Sequence, residues 1–364
     1  MTVLIVFISI AVFFILFLKT ERFGRRPSGR RLEEIRRSPN YKDGQFQNLE
    51  ITPALAEGVS YFTVFEKFFF HQSKRSKPNQ ALPAVKTNLK ILQPDENIIV
   101  WFGHSSYFLQ ADGKKFLVDP VFSGQASPVS FTTKAFAYTN KYTAEDMPEI
   151  DYLIITHDHW DHLDYDTVLN LKSKTKRIIT GLGTGQHFER WGFDMSCVTE
   201  LDWNASVQLF EGFEMTAVPA RHFAGRGLKR NTSLWAAFVL QTPSFRLFLG
   251  GDSGYGTHFK TIGDAFGPFD IAILECGQYN EYWRYIHMLP DEIVKATTDL
   301  KAKKLMPVHW GKFSLALHDW DEPIHAICAE ADKEKMPLFT PMIGEKAAFD
   351  NPDIIFKKWW EGLP

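Results

Sequence analysis

Residues 152–162 of this 364-residue chain read Tyr-Leu-Ile-Ile-Thr-His-Asp-His-Trp-Asp-His. The first half is an apolar run typical of a buried β-strand, and polar metal-ligand residues follow it directly. Imidazoles and carboxylates are costly to bury unless they bind something, and zinc prefers these ligands. Because alternate residues of an extended chain point the same way, His157 and His159 can reach one ion, while Asp161 and His162 are presented to a neighbour. A chance cluster on a solvated loop is the disfavoured alternative.

Three more candidate ligands follow strand-like runs further along the chain. His222 comes after a run ending at Val218, Asp252 follows a Gly-Gly pair, and His309 follows the run 305–308. Each of them alone is more typical of a structural histidine or a turn residue. Together with the first cluster they complete two coordination spheres, so the sequence predicts a centre with two metal ions.

Composition narrows the classes of function. Lys and Arg number 41 against 43 Asp and Glu, for a formal net charge of −2, and 45% of the residues are hydrophobic. A large core is therefore expected, and a disordered or fibrous class is excluded. The balanced charge disfavours nucleic-acid binding. Three widely spaced cysteines predict neither a disulfide framework nor a Cys-rich zinc site.

The alternation of strand-like and helical segments predicts an α/β fold in residues 84–364. Apolar runs such as 97–102, 152–156 and 271–274 read as strands, and Asp112-Gly113 reads as a hairpin turn. Helices are expected over 165–172, 258–266, 290–303 and 323–334, with Pro290 as a favourable helix start. Meanders followed by strand–helix units indicate two packed sheets covered by helices.

The N-terminus predicts a membrane anchor. Residues 3–18 are apolar except for Ser9 and would span about 24 Å as a helix. An uncleaved transmembrane helix over 1–19 is favoured over a signal peptide, because no basic residue precedes the run and no small-residue cleavage site follows it. The basic flank after Leu18 predicts a cytoplasmic catalytic domain by the positive-inside rule.

Residues 20–83 are interpreted as a basic juxtamembrane arm that wraps onto the domain starting near residue 84. Its basic flank is either attracted to anionic lipid or a solvated charged linker, and lipid attraction is at least equally favoured. Within this arm, the aromatic cluster 61–70 is followed by Lys74, Arg75 and Lys77. Such a cluster can seat a helix in a bilayer interface or pack into a core, and both interpretations stay open.

The motif His-x-His-x-Asp-His, followed by a His, a Gly-Asp pair and a late His, resembles the metallo-β-lactamase superfamily over residues 101–313. Further strings resemble the N-acylphosphatidylethanolamine-hydrolysing phospholipase D family and its bacterial relatives. These strings are Trp101-Phe102-Gly103-His104, Asp119-Pro120-Val121-Phe122, Ala126-Ser127-Pro128, Gly267-Pro268-Phe269-Asp270, Gly277-Gln278-Tyr279 and His309-Trp310-Gly311. The resemblance implies an αββα sandwich, here with an N-terminal transmembrane helix that lies outside the family pattern.

The resemblance also implies roles for individual residues at a centre of two Zn²⁺ ions. One zinc would be held by His157, His159 and His222, and the other by Asp161, His162 and His309, with Asp252 bridging. Asp119 would fix a ligand imidazole, and His104 would support the site rather than act in catalysis. Iron and manganese are alternative metals for the same ligands.

The catalytic residues implied by the resemblance are Asp161, Asp252 and His287. His287 is either a proton donor or a substrate contact, and the two roles stay open. Trp160 and Tyr279 would line the substrate pocket, although Trp160 departs from the Tyr that is more usual in the family.

These observations predict a phospholipase D-type hydrolase that releases N-acylethanolamine and phosphatidic acid from N-acylphosphatidylethanolamine. The predicted partners are a membrane phospholipid and the bilayer, without nucleic acid, and self-association into a homodimer is part of the hypothesis. The main alternative is a hydrolase of a soluble phosphorylated or lactone substrate, similar to ascorbate-6-phosphate lactonases. A structural zinc site is disfavoured, because such sites are usually Cys-rich and closed.

Overall fold

Strands and helices alternate along the computed structural model, which describes residues 2–363; residues 1 and 364, at the outer ends of the predicted segments, lie outside the described residues. The α-helices are α1 (Thr2–Leu18), α2 (Gly29–Arg37), α3 (Tyr61–Phe70), α4 (Tyr165–Leu171), α5 (Gly185–Arg190), α6 (His258–Phe266), α7 (Pro290–Asp299) and α8 (Glu322–Glu334). The strands are β1 (Tyr41–Lys42), β2 (Gln45–Phe46), β3 (Ile98–Trp101), β4 (Tyr107–Ala111), β5 (Lys114–Val118), β6 (Ile150–Ile155), β7 (Thr175–Gly181), β8 (Val198–Leu201), β9 (Ser206–Phe210), β10 (Phe213–Val218), β11 (Ala237–Gln241), β12 (Arg246–Leu249), β13 (Ile271–Glu275), β14 (Leu305–Val308) and β15 (Lys346–Ala348).

Two large sheets carry the architecture. One has seven strands in the order β15-β3-β4-β5-β6-β7-β8, and the other has six in the order β14-β13-β12-β11-β10-β9. Side chains alternate across the first sheet with the period of two that a strand imposes. Ile99 and Leu109 pack with the six-stranded sheet, whereas Ile98 and Phe108 pack on the opposite face with α4 residues. Both faces are buried, which explains why β6 reads as a continuous apolar run.

Helices cover both outer faces of the sheet pair. Val168 and Leu171 of α4 and Phe188 of α5 join the cluster on the outer face of the seven-stranded sheet. Residues of α6, α7 and α8 pack with the six-stranded sheet. The layer order is therefore α, β, β, α, and the predicted α/β sandwich is confirmed. Helix α7 ends at Asp299 rather than at 303, because Lys301 takes a left-handed backbone conformation, with φ of 57°.

The strand directions bring six strand ends to one edge of the sandwich. In the seven-stranded sheet β3, β5 and β6 run the same way, and in the six-stranded sheet β10, β12 and β14 do so. The residues that follow these strands therefore meet at a shared edge, where ligand sites of sheets usually form. His104, Asp119, His157, His222, Asp252 and His309 all stand just beyond one of these strand ends.

The predicted transmembrane anchor is wrong. The apolar N-terminal run forms α1, which has 17 residues. At about 1.5 Å per residue it spans about 26 Å, short of the ~30 Å hydrocarbon core. No helix within residues 2–363 combines the length and the apolar character needed to cross a bilayer. The localisation deduced from that anchor, with a membrane-tethered protein and a cytoplasmic catalytic domain, is withdrawn with it.

The arm packs on the sandwich. Arg31 of α2 forms ion pairs with Glu189 and, at 2.8 Å, with Glu200, and its side chain is only 15% exposed. Ion pairs shielded in this way hold their geometry better than exposed ones. The division of the chain at residues 83 and 84 stays a prediction.

A buried lysine joins two of the loops at the shared edge. Lys312 is 1% exposed, and its Nζ donates to the carbonyl oxygens of Phe102 at 3.2 Å and Val121 at 2.8 Å. Burial lowers the pKa of Lys312 to about 7. The unfolded chain, in which a lysine has a pKa of about 10.4, therefore binds more protons than the folded chain between pH ~7 and ~10.

This difference predicts how stability changes with pH when Lys312 is replaced. The free energy of unfolding of the wild type increases with pH in that window, because deprotonating the buried lysine on folding costs less as the pH rises. The Tm of Lys312→Met minus that of the wild type should therefore be largest near pH 7 and decrease towards pH ~10. Thermal unfolding followed by circular dichroism measures this, with exposed Lys90→Met as control. Parallel pH curves for wild type and Lys312→Met would contradict the expectation.

Candidate metal centre

The first group of candidate ligands lies where β6, β10 and β12 end. His157, His159, His222 and Asp252 each offer a ligand atom, and these atoms lie within 4.8 Å of one another. The Nδ1 atom of His159 is 2.9 Å from Nε2 of His157 and 3.3 Å from Nε2 of His222. Nitrogen atoms from three rings thus point to one location, as ligands of a single ion must.

A second group stands beside the first. Ligand atoms of His104, Asp161, His162 and His309 also lie within 4.8 Å of one another, and all four residues are buried. The Oδ2 atom of Asp161 is 2.8 Å from Nε2 of His104 and 3.5 Å from Nε2 of His162. The resemblance implied that His104 supports the site. In the structure it lies within the second group of candidate ligands and contacts the Asp161 carboxylate directly.

Asp252 lies between the two groups. Its Oδ2 atom is 3.2 Å from Nε2 of His162, 3.7 Å from Nε2 of His222 and 3.8 Å from Nε2 of His157. Its Oδ1 atom is 3.2 Å from Nδ1 of His309. One carboxylate therefore faces imidazoles of both groups, which is the arrangement that a bridging ligand requires.

The close approach of the two sheets at this point depends on a glycine. A Cβ atom on Gly251, the residue before Asp252, would lie 2.8 Å from Cβ of Thr156 and 3.1 Å from the carbonyl oxygen of Ala236. Any larger residue would push the end of β12 away from the end of β6. The glycine pair in the sequence thus sets the distance between Asp252 and the histidine motif.

The donor set fits divalent metal ions. Nε2 of His162 and Oδ1 of Asp252 are buried without a hydrogen-bond partner among the described residues. Leaving such atoms unpaired costs on the order of 1–3 kcal/mol each, unless a cation occupies the space between them. Imidazole and carboxylate ligands suit zinc, iron and manganese. The identity and number of the ions stay a prediction.

The protonation states also favour metal binding. Burial lowers the pKa of His157, His222 and His309 well below its ordinary value, so these rings are neutral, the form that binds metals. Burial acts to raise the pKa of Asp161 and Asp252, but the neighbouring histidines, His162 foremost, outweigh it and hold both carboxyls well below their usual range. Burial likewise acts to lower the pKa of His162, but Asp252 and the other nearby carboxylates raise it well above its ordinary value. The carboxylates are therefore charged.

Asp119 and Thr156 orient His162 from behind. The imidazole Nδ1 of His162 donates to Oδ2 of Asp119 at 2.7 Å, and Thr156 donates to the same carboxylate through its hydroxyl at 2.6 Å and its backbone N–H at 2.9 Å. This bond fixes the ring tautomer, so that Nε2 faces Asp252. The contact matches the supporting role that the resemblance implied for Asp119.

Three residues at this edge have left-handed backbone conformations. The φ angles are 54° at His104, 42° at Asp119 and 70° at His309. Non-glycine residues in this region store on the order of 1–3 kcal/mol of strain, and the surrounding structure must hold them there. Part of that support is visible at His104, whose carbonyl oxygen accepts a hydrogen bond of 2.7 Å from Nε1 of Trp101.

His222 is held by residues that sequence reasoning missed. Its Nδ1 donates to the carbonyl oxygen of Ile286 at 2.9 Å, which leaves Nε2 facing the other ligands. Asn48 of the arm brackets its backbone, donating to the His222 carbonyl at 2.7 Å and accepting from its N–H at 3.1 Å. Asn48 stands in a polar, proline-broken segment, where no periodicity or motif distinguishes it from any other loop residue.

A cavity of about 440 Å³ leads to the ligands. His287 lines it, 9% exposed, with Nδ1 3.5 Å from Oε2 of Glu275. Burial raises the pKa of Glu275 to about 7, although the nearby His287 acts against that shift. Sequence reasoning identified His287 but not Glu275, which lies at the end of an apolar strand and shows no motif.

Two residues predicted to line the pocket lie elsewhere. Tyr279 donates its hydroxyl to Glu322 at 2.9 Å and borders a separate cavity with His318. Trp160 is not among the residues that line the metal cavity, and Arg226 lies 3.9 Å above its ring. Trp283 is the tryptophan that lines the metal cavity. In a loop that follows a strand, the direction of each side chain depends on how the chain turns, which sequence spacing does not reveal.

The contact between Asp119 and His162 predicts the effect of a conservative substitution. Asp119→Asn keeps the shape but removes the charged acceptor for His162 Nδ1, so metal affinity should fall about 10- to 100-fold. Competition with a chelator, followed by metal analysis of the full chain, measures that change. Asp95→Asn, at an exposed position, is the matched control. Equal metal affinity in the two variants would remove Asp119 from the site.

Comparison with known proteins gives a consistent result. A family model described as a beta-lactamase superfamily domain matches residues 114–310, more than half of the chain. An uncharacterized protein of Mycobacterium tuberculosis is 38% identical over 331 residues, which cover 89% of this chain and 87% of that protein. N-acyl-phosphatidylethanolamine-hydrolyzing phospholipase D 1 of Caenorhabditis elegans is 30% identical over 270 residues, covering 68% of this chain and 76% of that protein.

A solved structure supports the fold. Igni18, a metallo hydrolase from Ignicoccus hospitalis, aligns with a TM-score of 0.54 at 18% identity, covering 69% of this chain and 97% of that one. Family model, relatives and fold agree with the resemblance deduced from the histidine motif, which is confirmed. The chain therefore belongs to the metallo-β-lactamase superfamily, as a metal-dependent hydrolase.

Proposed function

We propose that the chain is a phospholipase D-type phosphodiesterase that hydrolyses N-acylphosphatidylethanolamine to phosphatidic acid and an N-acylethanolamine. The observation that carries this proposal is the two-sided character of the cavity above the candidate ligands. Histidines and carboxylates form its floor, and an apolar wall rises beside them. Such a cavity suits a substrate that joins a phosphodiester to long hydrocarbon chains.

The apolar wall comes from several elements. Helix α3 contributes Val64 and Phe68, and Phe68 stacks on Trp283 with ring centroids 5.9 Å apart. Phe223 and Ile286 extend the wall towards the ligands. A hydrocarbon chain lying here would bury apolar surface, at roughly 25 cal/mol per Å².

Helix α3 continues this apolar character to the outside. Phe62, Phe65, Phe69 and Phe70 are between 53% and 76% exposed on a helix of ten residues. Exposed aromatic residues on a helix that also lines a cavity are typical of an interaction site. For a lipid substrate, such a surface supports entry of acyl chains from an apolar phase.

The polar part of the cavity suits a phosphodiester. Arg230 lines it as an exposed cation next to Phe223 and can pair with the negative charge of the diester. His157, His159, Asp161, His162, His222, Asp252 and His309 would hold two divalent ions, zinc in our proposal. When bound, such a pair lowers the pKa of water and neutralises charge on phosphoryl oxygens. Asp161 and Asp252 are both ionised and would provide negatively charged ligands for the two ions.

His287 is proposed as the proton donor to the leaving alcohol. Its Nδ1 lies towards Glu275, so the opposite nitrogen, Nε2, is the one available to a substrate in the cavity. Burial opposes protonation, but the Glu275 carboxylate outweighs it and raises the pKa of His287 above its ordinary value. A protonated imidazole can give its proton to the N-acylethanolamine oxygen as the P–O bond breaks.

Homodimer formation stays a prediction.

The substrate class is tested by direct assay. Full-length protein loaded with zinc should convert N-acylphosphatidylethanolamine in mixed micelles to phosphatidic acid, detected by mass spectrometry. A variant with Asp161→Asn and His162→Ala should form no more product than buffer, while Asp95→Asn should match the wild type. Hydrolysis of water-soluble phosphates or lactones, with none of the lipid, would replace this proposal by the alternative of a soluble substrate.

The role of His287 predicts a dependence on the leaving group. His287→Ala should lower kcat by about 10²- to 10⁴-fold for the lipid, whose alkoxide leaving group needs a proton. For bis(p-nitrophenyl) phosphate, whose leaving group is stable without a proton, the loss should be much smaller. Wild-type kcat on the lipid should also decrease as the pH rises through the pKa of His287, because the donor is then deprotonated. Equal losses on both substrates would point to a binding role instead.

A further inference from the structure

A second cavity, of about 150 Å³, lies between the N-terminal arm and the loop that follows His222. Residues 23–26 form one side and residues 226–229 the other. The volume is well above the ~10–15 Å³ that a single water requires, so it has room for a group the size of a phosphate. None of its lining residues lines the metal cavity.

The side chains around this second cavity are strongly cationic. Arg25, Arg26, Arg226 and Lys229 line it, and Asp158 is the one carboxylate among its lining residues. In the described part of the chain, Arg26 and Lys229 have no carboxylate within ion-pair distance. Arg25 approaches Glu189 only at 3.8 Å, with both side chains about 40% exposed, which is a weak contact.

Asp158 offsets only one of these four positive charges, and hydrogen bonds hold its carboxylate in place. It accepts hydrogen bonds from the hydroxyl of Ser233 at 2.7 Å and from the N–H of Gly225 at 2.6 Å. Nε2 of His187 also lies 2.9 Å from Oδ2 of Asp158. The residues that line the cavity therefore carry an excess of positive charge.

Arg226 is the buried member of the set. It is 4% exposed, its Nη1 donates to the carbonyl oxygens of Asp158 and Leu163, and its Nη2 has no hydrogen-bond partner among the described residues. Burial lowers the pKa of Arg226 to about 10. Trp160 stacks on this guanidinium and Asp158 lies nearby, and an anion in the cavity would further offset the cost of burying it.

The positive region extends beyond the cavity. An adjoining depression shares Arg26 and Lys229 with it and adds Arg36, and no acidic residue lines that depression. Leu18 and Phe23 supply an apolar edge to the first cavity. Cations converging on a small space, with an apolar edge, match a phosphate group that carries an organic substituent.

We propose that this cavity is a second ligand site, which binds a phosphate-type anion between the arm and the loop 226–229. Arg226 forms its floor, and Arg25, Arg26 and Lys229 form its rim. The anion is either free phosphate or the phosphate of a lipid headgroup, since the same cations recognise both. The site is separate from the metal centre and does not depend on the function proposed above.

Because Arg226 also supports the fold, the test changes only the exposed rim. Inorganic phosphate is titrated calorimetrically into the metal-loaded full chain of the wild type, of Arg26→Gln/Lys229→Gln and of the control Lys77→Gln/Lys90→Gln. The rim variant should bind phosphate about tenfold more weakly, because it lacks two of the cations that pair with the anion. The control should match the wild type, because its lysines are exposed and distant from the cavity.

A second measurement separates the two sources of phosphate. Co-sedimentation compares vesicles of pure phosphatidylcholine with vesicles that also contain phosphatidic acid. A rim-dependent loss in calorimetry assigns the site to free phosphate, and a rim-dependent loss with phosphatidic acid vesicles alone assigns it to a lipid headgroup. If the rim variant behaves like the wild type in both measurements, any bound phosphate lies at the metals and the proposal is overturned. Equal losses in rim and control variants would overturn it too, since they reflect net charge alone.

Discussion

The shared edge of the two sheets is the constraint on which the rest of this molecule depends. Six strands from both sheets end there with the same direction, and the chain that leaves each end carries an imidazole or a carboxylate. The sheets approach so closely at the ends of β6 and β12 that a Cβ on Gly251 would overlap Thr156. Residues more than two hundred positions apart, His104 and His309, are thereby brought within ligand distance of one another. The metal centre is thus a consequence of strand direction and sheet packing.

Burial gives these ligands their chemical character. Burial holds the pKa of His157, His222 and His309 well below the ordinary value, and neighbouring histidines keep Asp161 and Asp252 charged, so these ligands are prepared for cations. The polar atoms without partners at His162 and Asp252 show that protein contacts alone do not satisfy the site. The free energy stored in this arrangement is recovered when ions bind, which couples metal binding to the stability of the fold.

The N-terminal arm belongs to the working structure. Asn48 brackets the backbone of His222, α3 provides a wall of the metal cavity, and residues 23–26 close the cationic cavity on the other side of the loop. Sequence reasoning interpreted this segment through its charge and its apolar run, and so predicted a bilayer partner. The ion pairs of Arg22 with Asp166 and of Arg31 with Glu189 and Glu200 account for part of that charge within the protein. A count of basic residues does not distinguish attraction to lipid from attraction to the protein's own carboxylates.

The sequence by itself determined the superfamily, the layered α/β fold and the set of candidate ligands. It could do so because strand periodicity is local, and because histidines and carboxylates packed so densely after a buried strand are typical of a metal site. Tertiary structure decided which way each loop side chain points, and therefore that Trp283 rather than Trp160 or Tyr279 lines the cavity. It also decided that His104 contacts Asp161, that Asn48 and Glu275 stand behind the site, and that the first helix is too short to cross a membrane. These features depend on contacts between distant segments and on where a helix ends, and local composition carries no information about either.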